Sequence, residues 1–441
     1  MRHWCTALTY TSRLFLTHLL LRRGFLATSL PLQDLAAPLG FNISLYTDQV
    51  PRPRYLAISK TSRPPISLTY ISTNGSQVYA LIDRQGTGAP EVVPILDALT
   101  QPNGVAWLNG TLYVAQPNAI LQYTGADDAV LAGKALGSPG IVLAPIASLD
   151  GSPKILKIGP DRKLYYSVGP SCDQSGTCRC GDAVASAPQV HYCSIARVSL
   201  DGAGATSRIT GVRDVGGLAF DPSSQEPVVA FTSQHPVPAK GPSASDDLLY
   251  YQDADDAVDL GAPLCQWHGR GSPIVRSIGP GNATADATNA VMPQLITSSG
   301  ASGAKQASCS GESPPPAQAL GPRVAAMGLS FYPGAQPGYN STAPFPRKYV
   351  NSTAFIAEHG SPSSPAKPGF RVAAVTLTSN GTEANATAHI NFISGWLSGG
   401  IPWGRPVDTA PLLDGSLLVS DDLAGAVYRV TYDPQALGGL P

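Results

Sequence analysis

Chemistry in this chain has few residues to draw on. Only 13% of the 441 residues are charged, about half the roughly 25% of an ordinary soluble domain. Arg54, Arg213 and Arg405 are three of these sparing charges. A guanidinium is a planar fork that binds both oxygens of a carboxylate and keeps its charge. Each arginine suits such a ligand, or equally the capping of strand carbonyls. His359, in Glu358-His359-Gly360, ends a strand-like run and offers a ring nitrogen to a ligand or to a core contact. Trp403 offers a flat face to a planar ring or a sugar, or simply packs. Asp421-Asp422 is a tempting pair of oxygens for calcium, which takes six to eight, although its place before a tight turn points to a structural role.

The cysteines indicate a compartment. Setting aside Cys5 near the N-terminus leaves six: Cys172, Cys178, Cys180 and Cys193 crowd one loop, and Cys265 and Cys309 bracket a Pro/Ser/Gly-rich stretch. The loop spacing lacks the C-x2-C knuckle common in zinc sites, so disulfides in an oxidising compartment are favoured. Eight of the twelve asparagines lie in Asn-x-Ser/Thr sequons, namely Asn42, Asn74, Asn109, Asn282, Asn340, Asn351, Asn380 and Asn385. The motif marks surface sites of secreted proteins. Residues 1–30, with the short apolar run Leu14–Leu21 and Arg22-Arg23, read as a signal peptide or signal anchor.

The elements that must position these residues are strands. Gly and Pro supply about a fifth of the chain, against about 12% on average. Short apolar runs recur between turn signals: Ile43–Tyr46, Gln77–Ile82, Thr111–Ala115, Lys163–Val168, Val228–Thr232, Thr353–Ala357, Arg371–Leu377 and Ala426–Thr431 among them. Asn109-Gly110, Asp150-Gly151, Asp201-Gly202 and Asp414-Gly415 favour hairpin turns. Gly110–Ala115, Gly415–Ser420 and Arg162–Ser167 resemble one another, a repetition longer than one hairpin. The pattern predicts an all-β propeller of repeated four-stranded blades, as one domain over 31–441 with a low-complexity loop at 298–316 and the Ile43–Tyr46 strand closing the ring. The net charge of −1 and the lack of a basic stripe with aromatics argue against nucleic acid. No apolar run is long enough to span a membrane in the mature chain.

Eight segments, in order, resemble the secreted sorbosone/glucose dehydrogenase family, including the pyrroloquinoline quinone (PQQ)-dependent pyranose dehydrogenases. They are Leu39–Tyr46, Arg54–Ser59, Pro102–Ala106, Gly159–Tyr165, Gly211–Arg213, Ala357–Ser361, Trp403–Pro406 and Asp414–Tyr432. The resemblance implies a six-bladed β-propeller with long inserted loops, PQQ and calcium as cofactors, and a sugar or aldose-like alcohol as substrate. It places Arg54, Arg213, His359 and Arg405 at the cofactor. The electrons would pass to an external acceptor, since no haem-attachment C-x-x-C-H motif is present.

The departures lie on the substrate side. The family's general-base histidine falls on Gly151, which cannot take a proton. The asparagine after the family's arginine is Asp214, and a Gly-Arg-Asp segment is replaced by Ser233-Gln234-His235-Pro236. Asp150, Asp214 and His235 are the candidate replacement bases. The reading is therefore a weakened PQQ-dependent sugar dehydrogenase. Two alternatives stand beside it: a catalytically degenerate secreted propeller that binds glycan or protein, and a calcium-dependent lactonase-type propeller, for which no converging carboxylates are evident.

Overall fold

The computed structural model describes residues 29–60, 66–84, 89–144, 146, 154–172, 178–212, 214–234, 246–255, 258–260, 265–266, 294–295, 316–337, 339, 344–379 and 384–437. Residues Leu32–Pro441 form one compact unit. The predicted leader, apart from its last residues, and the predicted loop at 298–316, apart from Pro316, lie outside the described residues.

The unit is a six-bladed β-propeller. Each blade is an antiparallel sheet built from the axis outward, and the inner strands are Pro53–Ser59, Val105–Leu108, Leu156–Ile158, Asp214–Phe220, Ala326–Phe331 and Pro406–Pro411. We number the blades 1 to 6 in that order. Blade 3 adds a short parallel strand, Val258–Asp259, at its outer edge. The three similar segments noted in the sequence are the second strands of blades 2, 3 and 6, at Thr111–Gln116, Leu164–Val168 and Leu417–Asp421. They look alike because the second strand is buried on both faces, and a doubly buried strand is a continuous apolar run.

Blades pack face to face. Val228, Leu249 and Leu320 of blade 4 meet Leu329, Ile356 and Val375 of blade 5, while Leu56, Ile71 and Leu81 of blade 1 meet Leu418 and Val427 of blade 6. Burying each such side chain stabilises the fold by roughly 1.5–3 kcal/mol. Near the axis the strands touch at the backbone, which explains the glycines there. A Cβ on Gly216 would lie 2.1 Å from Ala326 O, so only glycine fits.

The ring closes as the sequence predicts. Phe41–Thr47, from the N-terminal side, is the outer strand of blade 6 and pairs with Ala426–Tyr432, setting Ile43 opposite Val430. Phe41 anchors the seam edge-on against Phe345 and Phe392, at 4.7 and 4.9 Å between ring centroids. The described α-helix, Ala126–Leu131, is tied down by buried Asp127, which accepts from Ser59, Tyr70 and Trp107. No helix among the described residues is long and apolar enough to cross a membrane.

Candidate active site

Because neighbouring strands alternate in direction, the connections into each inner strand share one face of the disc with the turns from second to third strands. We call this the front. Arg54 stands at the start of the inner strand of blade 1 and Arg405 just before that of blade 6. His359 follows the second strand of blade 5, and Asp422 follows that of blade 6. All four are on the front, and three blades bring them together.

Asp422 is the hub. One carboxylate oxygen accepts from Arg54 Nη1 at 2.8 Å, and the other lies 2.8 Å from His359 Nε2. The three side chains are 9–12% exposed, buried at the mouth of the ring. Burial alone would raise the Asp422 carboxyl, but the hydrogen bond from His359 and the charges of His359 and Arg54 outweigh it and hold the pKa at about 2. Asp422 is therefore ionised, so His359 Nε2 carries the proton it donates. Burial pushes the His359 imidazole below its ordinary value, against the pull of Asp422. Among the described residues its other nitrogen, Nδ1, has no hydrogen-bond partner.

Arg405 ties the cluster to its scaffold. Its Nε donates to His359 O at 3.0 Å and its Nη2 to Gly360 O at 2.6 Å, so it caps carbonyls, the structural option left open by its residue type. Burial lowers its pKa. Asp421 holds the turn: Oδ1 accepts from the backbone N–H groups of Arg405, Leu423 and Ala424, and Oδ2 from Tyr428. Its carboxyl is pushed up to about 6 by burial. The structural role expected of this acidic pair thus belongs to Asp421, while Asp422 joins the cations.

Sequence reasoning missed the floor of the site. Asp408, three residues along the inner strand from Arg405, is fully buried and accepts from Leu56 N at 3.0 Å. Lys157, from the inner strand of blade 3, reaches across the axis to within 4.0 Å of it. The signal was a lone aspartate between Val407 and Thr409 in a buried strand, where a charge needs a partner. Burial raises the Asp408 carboxyl.

Among the remaining candidates, Asp214 begins the inner strand of blade 4 on the front, opposite Gln234. Arg213, Asp150, Gly151 and His235 lie outside the described residues. Trp403 is half-buried and donates its indole N–H to Gly395 O at 2.8 Å, fixing the loop into blade 6. Gly159-Pro160-Asp161 is a turn on the opposite face, where Asp161 accepts from Tyr165 and Arg197. Cys180 and Cys193 form a disulfide. Cys172 and Cys178 are register partners in a two-residue ladder of the same loop, and Cys309 lies outside the described residues.

The donor set suits carboxylates. Arg54 Nε and Nη2 and Arg405 Nη1 make no hydrogen bond among the described residues, and two guanidiniums face one carboxylate, so the mouth retains positive charge for an anionic ligand. Calcium finds less. No group of three or more His, Cys, Asp or Glu converges among the described residues, and the Asp421 oxygens are filled. Oxygens for calcium would have to come from the backbone or from outside the described set.

No family model matches the chain. A curated relative, an uncharacterized protein of Borreliella burgdorferi, is 35% identical over 111 residues, 25% of this chain and 26% of that protein, so the match spans about a quarter of either. Solved structures match over far more. A calcium structure of a Trichoderma reesei carbohydrate-active enzyme of family AA12 aligns with a TM-score of 0.66 at 16% identity, covering 90% of this chain and 97% of the other. The holo pyranose dehydrogenase PQQ domain of Coprinopsis cinerea gives 0.64 at 14%, covering 90% and 97%. The apo soluble aldose sugar dehydrogenase of Escherichia coli gives 0.54 at 13%, covering 89% and 99%. At these identities the likeness is one of architecture: this chain has the six-bladed propeller fold of the pyranose and aldose sugar dehydrogenases.

Proposed function

We propose that the protein is a secreted oxidoreductase of the quinoprotein type, acting weakly on a sugar or aldose-like alcohol. The observation that carries the reading is the meeting of blades 1, 5 and 6 at one face of the ring, where Arg54 and His359 converge on Asp422 and Arg405 holds the His359 carbonyl. Arg54 and Arg405 would hold the carboxylates of PQQ with their open donors. When bound, PQQ supplies an ortho-quinone able to take up the hydride of the substrate carbon. Asp422 fixes the His359 ring through Nε2, and His359 Nδ1 would then serve as the proton acceptor, the task that Gly151 cannot perform. A separate molecule takes the electrons onward.

A second reading, a propeller that binds a glycan or a protein without turnover, is favoured by one observation: Asp422 already neutralises Arg54. One experiment separates the two. The glycosylated protein is incubated with PQQ, with and without calcium, and cofactor binding and dye reduction are recorded across a sugar panel. Binding with turnover is the expected result. Binding alone supports the degenerate propeller, and failure of PQQ to bind overturns the proposal.

A further inference from the structure

The described sequons do not scatter evenly over the disc. At the back face lie the turns from inner to second strand and the starts of the outer strands. Asn109 sits in the turn between Val105–Leu108 and Thr111–Gln116, and Asn351 just before the second strand of blade 5, Thr353–Glu358. Asn42 and Asn385 are the second residues of the outer strands Phe41–Thr47 and Ala384–Ile393. All four are exposed. Of the described sequons, Asn74 alone sits on the front, in the turn after Ser67–Thr73. Asn282, Asn340 and Asn380 lie outside the described residues.

The chain as a whole has few charged side chains with which to solvate its surface. Only 13% of its residues are charged, against roughly 25% in an ordinary soluble domain. Leu39 and Leu45, 58% and 37% exposed, flank Asn42 at three residues on either side. Asn42 and Asn385 also stand on strands that form the outer edges of their sheets, and an open edge is a template for pairing with another chain.

We infer that the back of the propeller is a glycan-bearing face, with N-linked oligosaccharides at Asn42, Asn109, Asn351 and Asn385 that screen exposed leucines and sheet edges and leave the front with its arginine cluster largely bare. This rests on the secreted reading, so the test separates the two. The full chain is expressed in a eukaryotic secretory host with its own leader and, in parallel, behind an independent one. Occupancy is mapped on peptides, from secreted and retained protein alike, after enzymatic glycan release in heavy-oxygen water. Glycan at three or more of the four asparagines behind the independent leader is expected, and two or fewer overturns the inference. Glycan behind the independent leader with none behind the native one refutes secretion and supports the face assignment. Removing glycans from the folded protein then reads their role without disturbing folding. A several-fold loss of monomer by size exclusion is expected, suppressed in the Leu39→Lys/Leu45→Glu variant. An unchanged monomer fraction overturns the screening role.

Discussion

The front face divides into two halves that differ in kind. On the side of blades 5, 6 and 1, Arg54, His359, Arg405 and Asp422 are joined by hydrogen bonds of 2.6–3.0 Å into one network. On the side of blades 2 to 4, Asp214 begins the inner strand of blade 4, while Gly151 and His235, which the sequence resemblance sets at the base and substrate contacts, lie outside the described residues. The contrast separates gripping a ligand from reacting with it. Arg405 caps the carbonyls of His359 and Gly360, and Arg54 neutralises Asp422. These arginines serve the fold as well as any ligand, so their presence alone is no evidence of turnover. In our account the reacting half has been reduced, and the proton-accepting task has moved to the gripping half, at His359 Nδ1.

The strongest attempt to break this contrast restores the missing base. Gly151→His is expected to raise dehydrogenase activity by up to about 10²–10⁴, in a variant shown by thermal melting to fold. A folded, PQQ-loaded variant with no gain, beside a wild type that turns over sugar briskly, would show that the reacting half was never impaired. Next comes the hub. Asp422→Ala leaves a largely buried guanidinium unpaired and is expected to cost about 3–5 kcal/mol of unfolding free energy, read by denaturant titration; an unchanged midpoint would dissolve the network. Arg405→Ala should weaken PQQ binding by roughly 1.5–3 kcal/mol, the range for hydrogen bonds to charged groups, measured by equilibrium titration.

The smallest effect is a pH dependence. The Asp422 carboxyl is held at about 2 in the fold, against 3.8 for its ordinary value. A carboxyl whose folded pKa is depressed contributes stability that is complete above its unfolded value and lost as pH falls through the folded one. Asp422 should thus supply about 2 kcal/mol, present above pH 4 and fading toward pH 2. Asp422→Asn should erase this limb of the acid-unfolding curve, and a limb that persists would assign it to another group.

Much of the fold was legible because second and third strands are apolar runs, several of them beside turns such as Asn109-Gly110, Asp201-Gly202 and Asp414-Gly415. The inner strands were harder to read as strands. Leu156–Ile158 has three residues, Asp214–Phe220 contains two glycines and Pro406–Pro411 two prolines, because crowding at the axis favours small residues and backbone contact over apolar alternation. At the site, single arginines, a histidine and the Asp421-Asp422 pair were visible as chemistry, but the role of Asp422 as the shared partner of Arg54 and His359 was not. Asp421 and Asp422 are adjacent with identical side chains, and alternation sends one into the scaffold and the other toward the cations. The Lys157–Asp408 contact joins strands of blades 3 and 6, a relation that no local pattern carries.

The central claim is that the arginine cluster grips carboxylates. It is tested most directly by titrating the wild-type protein with PQQ and with its trimethyl ester, which keeps the ring and removes the charges. The account predicts saturable binding of PQQ, loss of that binding for the ester, and weakening of PQQ binding in Arg54→Ala and Arg405→Ala. Equal binding of acid and ester, or PQQ binding unaffected by both substitutions, would contradict it.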